Sequence, residues 1–269
     1  MLDLFQNDSF SIFFFAGLGL LFGSFANVLI YRIPEGKGFV LSRSECRKCQ
    51  NKIAWYDNIP VFSWLILRGK CRGCKKSISW RYPLVEILTS IVFALMFYTL
   101  GWSWFLLEAL IFGFGLIVVS FIDFDHMILP DSFTLSGIVI GLVGSLLNPE
   151  RDFWPSLLGV LVGGGVLWLI AYIYWALRKE EGMGGGDIKL LAWIGAVLGW
   201  GAVPFVVMTS SIVGSFVGIL IALGSKNGFK QTIPFGPYLA LAAILYLVGG
   251  QALSDWYLQL FIPSLGPVN

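Results

Sequence analysis

Residues 103–122 read SWFLLEALIFGFGLIVVSFI, and this stretch decides the fold. Twenty residues carrying Glu108 as their one charge match the roughly 20 that an α-helix needs to cross the ~30 Å hydrocarbon layer of a bilayer. Backbone in that layer must satisfy its own hydrogen bonds, so such a run folds as a helix. The pattern recurs at 10–31, 84–100, 132–147, 155–177, 188–202, 203–223 and 233–250, which makes eight candidate spans. Several have only 15–17 residues, the short end for a crossing helix. The break at Gly199-Trp200-Gly201 through Pro204 is the least distinct, because Gly and Pro also occur inside spanning helices. Composition agrees. Of 269 residues 57% are hydrophobic and 13% charged, too little charge to cover a soluble domain, and the mean hydropathy is +0.80.

The net charge of +2 says little, but its distribution is informative. Residues 32–81 hold twelve Lys or Arg against Glu35, Glu45 and Asp57. A basic block beside membrane spans marks the cytoplasmic side and suits anionic lipid headgroups. A membrane tether accounts for this charge, so nucleic-acid binding is not expected. The first apolar run has no basic segment ahead of it and no small-residue cleavage site behind it, so it reads as an uncleaved span. Asp3 and Asp8 before it and Arg32 after it put the N-terminus outside. With eight spans, 32–83, 123–131, 178–187 and 224–232 fall inside and, with their flanks, hold 17 of the 18 basic residues. Only Arg151 falls outside. Trp102, Trp104, Trp154 and Trp200 lie near span ends on that outer side, as an aromatic belt does.

All four cysteines form two pairs, Cys46-x-x-Cys49 and Cys71-x-x-Cys74, separated by 21 residues. Each pair puts two sulfurs on one tight turn, and two such knuckles complete a tetrahedral four-sulfur site for Zn²⁺. Arg47, Lys48, Lys70, Arg72 and Lys75 would help keep the thiols ionised. A pair of disulfides is the alternative, disfavoured by the reducing cytoplasmic side; iron is the other metal to consider. A closed four-cysteine site leaves no place for water, so the metal is expected to be structural, organising a domain of about 42–80 too small for a core of its own.

Two loops on the same side carry carboxylates: Ile122-Asp123-Phe124-Asp125-His126-Met127-Ile128-Leu129-Pro130-Asp131 and Gly182-Met183-Gly184-Gly185-Gly186-Asp187-Ile188-Lys189. Asp123 closes one apolar run and Asp187 opens another, where ionisable groups are costly unless paired or functional. Two facing carboxyls do not both ionise comfortably; one keeps a proton while the other is a base. Such a pair can activate water and protonate a departing amine. Gly184, Gly185 and Gly186 remove side chains beside Asp187, permit unusual dihedrals and let an extended substrate backbone approach. Asp125 is either a further substrate contact or a solvated loop residue. Asp131 is expected to cap the helix that starts near Ser132. His126, the sole histidine, reads as an interfacial loop residue. Glu86 and Glu108 lie within apolar runs, and Glu108 is either a hydrogen-bonding residue of the bundle or a pathway residue.

The order of these stretches resembles the bacterial type IV prepilin peptidases, aspartic membrane peptidases of the GxGD kind. GSFANVLIYRIP at 23–34, the double C-x-x-C segment, WYDNIPVFSWLILRGKC at 55–71, ISWRYPLVEILT at 78–89, IDFDHMILPD at 122–131 and GMGGGDIKL at 182–190 carry the resemblance across 15–240. Ala26 stands where Leu is expected. The resemblance implies catalytic aspartates at Asp123 and Asp187, the cysteine tetrad as a metal site, and a pilin-like or pseudopilin precursor as substrate. That precursor would have a basic leader ending in Gly ahead of an apolar helix. It also implies methylation of the new N-terminus from S-adenosylmethionine, although some relatives only cleave. No strand-flanked G-x-G-x-x-G is present, and Gly17-x-Gly19 lies inside an apolar run, so no methyl-donor site is readable.

The expected architecture is therefore an all-α polytopic inner-membrane protein of about eight spans. A first span at 1–31 leads to a cytoplasmic zinc domain with some strand content at 32–83. A peptidase core at 84–250 and an outer-face tail at 251–269 complete it. A proton- or cation-coupled carrier is the rival of another class, but no internal repeat supports it. A non-catalytic assembly factor gripping pilins through its basic domain is another. Oligomeric state and the pilus or secretion system served leave no mark in the sequence.

Overall fold

Each apolar run becomes a helix in the computed structural model of the chain, which describes residues 8–38, 44–180, 184–224, 233–250, 252–254 and 256. The helices are α1 (Asp8–Arg32), a short α2 (Phe62–Ile66), α3 (Arg81–Leu100), α4 (Trp104–His126), α5 (Asp131–Leu147), α6 (Phe153–Arg178), α7 (Gly185–Leu198), α8 (Ala202–Gly224) and α9 (Gly236–Leu245). Helices α1, α3, α4, α6 and α8 are long and apolar enough to cross a membrane; α5 and α9 are shorter apolar helices. The chain divides into two compact units, Met1–Trp102 with Gly113–Val118, and Ser103–Phe112 with Val119–Asn269. Readings at Asp3, Arg43, Gly182, Met183, Lys226, Lys230, Tyr257, Phe261 and Pro263 lie outside the described residues.

In the first unit α1 lies directly against α3. A Cβ on Gly19 or Gly23 would stand 2.6 Å from Ser90 Cα or 2.5 Å from Glu86 Cα, so these glycines set the approach. Gly19, which lies inside an apolar run, is a packing residue here. Polar side chains fasten the pair: Ser90 Oγ donates to Ala16 O (2.8 Å), and Asn27 Nδ2 donates to Tyr82 O (3.1 Å). Lipid offers no hydrophobic drive between helices, so close packing and polar bonds of this kind hold them. The segment after Ser44 has no strand among the described residues, contrary to expectation. Two isolated bridges, Glu45↔Lys52 and Lys70↔Ser77, each close one cysteine knuckle instead.

The second unit is built around α7, whose residues Leu190–Val197 are all buried. This helix has 14 residues, short for a span, and its sides are covered by protein. Gly195 meets Gly159 of α6 backbone to backbone, and Gly137 of α5 leaves room for the Trp193 ring. The break after Leu198 is real: Gly199 ends the helix at φ +79°, a conformation suited to glycine, and α8 starts three residues later. Helix α4 runs one turn further than its apolar run. Asp123, Asp125 and His126 therefore sit on its last turn and not in a loop, and Met127 (φ +54°) stops it by donating to Asp123 O at 2.9 Å.

Candidate active site

Asp123 projects from the last turn of α4 and is buried. Its Oδ2 accepts the Gly236 N–H at 3.1 Å. That amide is one of the free donors at the start of α9, where Pro237 adds no N–H of its own. The positive end of the α9 dipole thus faces a carboxylate. Gly236 is obligatory at this distance, since a Cβ there would stand 2.7 Å from Asp123 Oδ2 and 3.1 Å from Leu129 Cδ2.

Asp187 lies in the first turn of α7, ahead of the apolar stretch that begins at Ile188, and is half-buried. Its carboxyl feels the negative charge of Asp123. Leu129, between α4 and α5, joins the parts. Beyond its contact at Gly236, its Cβ is 2.9 Å from where a Cβ on Gly186 would be. The ends of α4, α7 and α9 therefore converge on one spot. One carboxyl there accepts a backbone N–H and the other opens α7.

The three glycines before Asp187 divide. Gly186 is packed; a Cβ on Gly184 or Gly185 would meet nothing within 4 Å. None of them has a positive φ, and Gly184 is extended at φ −72°, so unusual dihedrals are not their reason. Open space beside Asp187 is. Asp125 and His126 are exposed, and Asp125, two residues from Asp123, points to a different side of α4. Asp131 is not a cap: Pro130 holds that position, and Asp131 takes an ion pair from Lys189 Nζ at 2.7 Å, linking the starts of α5 and α7. Glu108 is a pairing residue of the bundle, bound by the Arg151 guanidinium, which also donates to Ser156 Oγ (2.8 Å) and Ala196 O (2.7 Å). Glu86 accepts the Val61 N–H at 2.7 Å. Gly236 escaped the sequence reading; its only trace was Pro237 at a helix start.

The four cysteines are free thiols, and their sulfurs lie within 4.8 Å of one another, with Cys46 Sγ and Cys74 Sγ 3.9 Å apart. Zn–S bonds of ~2.3 Å in a tetrahedron require S···S near ~3.8 Å, so the group fits a metal ion and not two disulfides. The Cys46 thiol is drawn down to about 6, chiefly by the Lys48 backbone N–H, while burial and the neighbouring thiols push Cys49 up to about 11.

Comparison with known proteins gives the chain a family. The bacterial peptidase A24 N-terminal domain matches residues 18–100, and the type IV leader peptidase family matches 110–219. The chain is 40% identical to a prepilin leader peptidase/N-methyltransferase of Aeromonas hydrophila, over 90% of this chain and 92% of the relative. The enzyme of the same name from Xanthomonas campestris pv. campestris is 39% identical over 91% and 93%, and that of Pseudomonas aeruginosa 36% over 90% and 91%. No solved structure matches the chain.

Proposed function

The chain belongs to the type IV leader peptidase family, and from that membership we propose that Asp123 and Asp187 are its catalytic pair. The protein is a membrane enzyme, a prepilin leader peptidase and N-methyltransferase. The convergence of the α4, α7 and α9 ends around Asp123 carries the assignment of the pair. Asp123, its Oδ2 occupied as an acceptor, is the base that takes a proton from water. The resulting hydroxide adds to the scissile carbonyl carbon while Asp187 protonates the carbonyl oxygen. Collapse of the tetrahedral intermediate breaks the C–N bond, with a proton delivered to the departing amine. The open side at Gly184 and Gly185 admits the extended leader. Asp125, exposed nearby in sequence, is assigned to the basic leader.

The substrate is a prepilin or pseudopilin whose apolar helix lies in the bilayer of the inner membrane. Helices α1 and α3 to α9 form eight passes, with the N-terminus and Arg151 outside and the aspartates at the cytoplasmic face. Seventeen of 18 basic residues then lie inside. Cys46, Cys49, Cys71 and Cys74 hold a structural Zn²⁺. The methyl group for the new N-terminus would come from S-adenosylmethionine.

Incubating the purified protein with a prepilin, with and without S-adenosylmethionine, and weighing the product tests both activities. Loss of the leader mass and gain of one methyl are expected. Asp123→Asn and Asp187→Asn should each lower cleavage by at least about a hundredfold while the protein still inserts; cleavage at the normal rate removes that residue from the mechanism.

A further inference from the structure

The segment Trp55–Ile66 takes no part in the dyad or the cysteine site, yet it is built with care. Ser63 Oγ donates to Tyr56 O at 2.9 Å and accepts the Ile59 N–H at 3.1 Å, folding 56–63 into one tight turn. Arg72, between the cysteines of the second knuckle, grips Asp57 with two bonds of 2.7 Å. The turn then presents apolar side chains outward. Trp55 is 82% exposed, Ile66 77% and Phe62 58%, with Ile59, Leu65 and Trp80 also exposed. Phe62, Leu65 and Ile66 stand at i, i+3 and i+4, one face of α2, while Ser63 is buried behind them.

The position of this face decides its partner. Val61 N–H is bonded to Glu86, five residues into α3 from Arg81. At 1.5 Å per residue that level is ~7.5 Å along the helix. Helices that rest in a membrane interface bury their apolar side ~5–10 Å deep. Exposed Lys48, Arg68, Lys70, Lys75 and Lys76 belong to the same cysteine module, a charge that complements anionic headgroups. We propose that the Trp55–Ile66 turn is a lipid-binding wedge: α2 lies in the headgroup and upper acyl zone of the bilayer beside α3 and seats the cysteine module on an anionic membrane surface.

The test uses the full-length protein in vesicles of phosphatidylethanolamine and phosphatidylglycerol. A photoreactive benzoylphenylalanine replaces Phe62, Ile66 or, as a control on the first knuckle, Lys52. Irradiation should attach a phospholipid mass at 62 and 66 in severalfold higher yield than at 52. Equal yields, or adducts at 62 and 66 only with added prepilin or a second copy of the chain, overturn the proposal. Hydroxyl-radical footprinting of the unaltered protein in the same vesicles gives a second readout independent of substitution. Trp55 and Phe62 should resist oxidation there, and oxidation at the rate of a water-exposed aromatic overturns it. Leader cleavage is not the readout, so failure here leaves the role of the dyad standing.

Discussion

At the residue scale the dyad rests on what surrounds each carboxyl. Gly236→Ala would place a methyl group 2.7 Å from Asp123 Oδ2, displacing the carboxyl proposed as the base. Since misplacement by ~1 Å can cost about 10²-fold, kcat should fall by about that factor with KM little changed. Gly185→Val acts differently, because its side chain enters open space; KM should rise while kcat holds. Steady-state kinetics on a prepilin peptide separates the two. Both aspartates were legible because a charge at the end of an apolar run is conspicuous. Gly236 was not. What it contributes is a backbone N–H acting across 113 positions of sequence, and no side-chain pattern encodes that. The glycines at 184–186 were legible as a group but not in their separate roles, which depend on Leu129 packing against Gly186 alone.

At the scale of elements, the apolar runs located every long helix, since hydropathy reports what lipid demands of a backbone. It could not report that α7 is short and enclosed, because a helix covered by protein and one facing lipid are both apolar all round. Nor could it place the last turn of α4, where Asp123, Asp125 and His126 break the apolar run while the helix continues to its cap at Met127. The cysteine module shows the opposite balance. Its spacing specified the four-sulfur cluster, yet its secondary structure shrinks to two bridges and short helical turns. On the proposed reading, sulfur–metal bonds replace a core there. Removing zinc with a chelator, or substituting Cys46→Ser, should therefore raise hydrogen exchange across 44–80 to near the unfolded rate. Amides of α1 and α3, packed through Gly19, Gly23 and Ser90, should keep their protection. Unchanged exchange in 44–80 after verified metal loss would show that the module folds without it.

At the scale of the whole molecule, orientation depends on which charges remain free to resist translocation. On the proposed eight-pass topology Arg151 is the one basic residue of 18 that falls outside. Its environment removes the conflict: the guanidinium is turned inward onto Glu108, Ser156 and Ala196 O, with Glu108 itself buried. It therefore acts as a clamp joining α4, α6 and α7, and not as a surface charge. A buried pair of this kind is expensive to break from one side only, since the remaining ion has no partner. Arg151→Met should thus lower stability by about 3–5 kcal/mol. The double variant Arg151→Met with Glu108→Met should recover most of that loss, because neither charge is left stranded. Thermal unfolding of the purified variants completes the cycle, and reporter fusions after Pro149 and Lys179 follow orientation in parallel. The double variant should keep 149 outside and 179 inside. If Arg151→Met alone proves neutral in stability, the guanidinium is solvated in the membrane-bound protein and its place outside must be explained some other way.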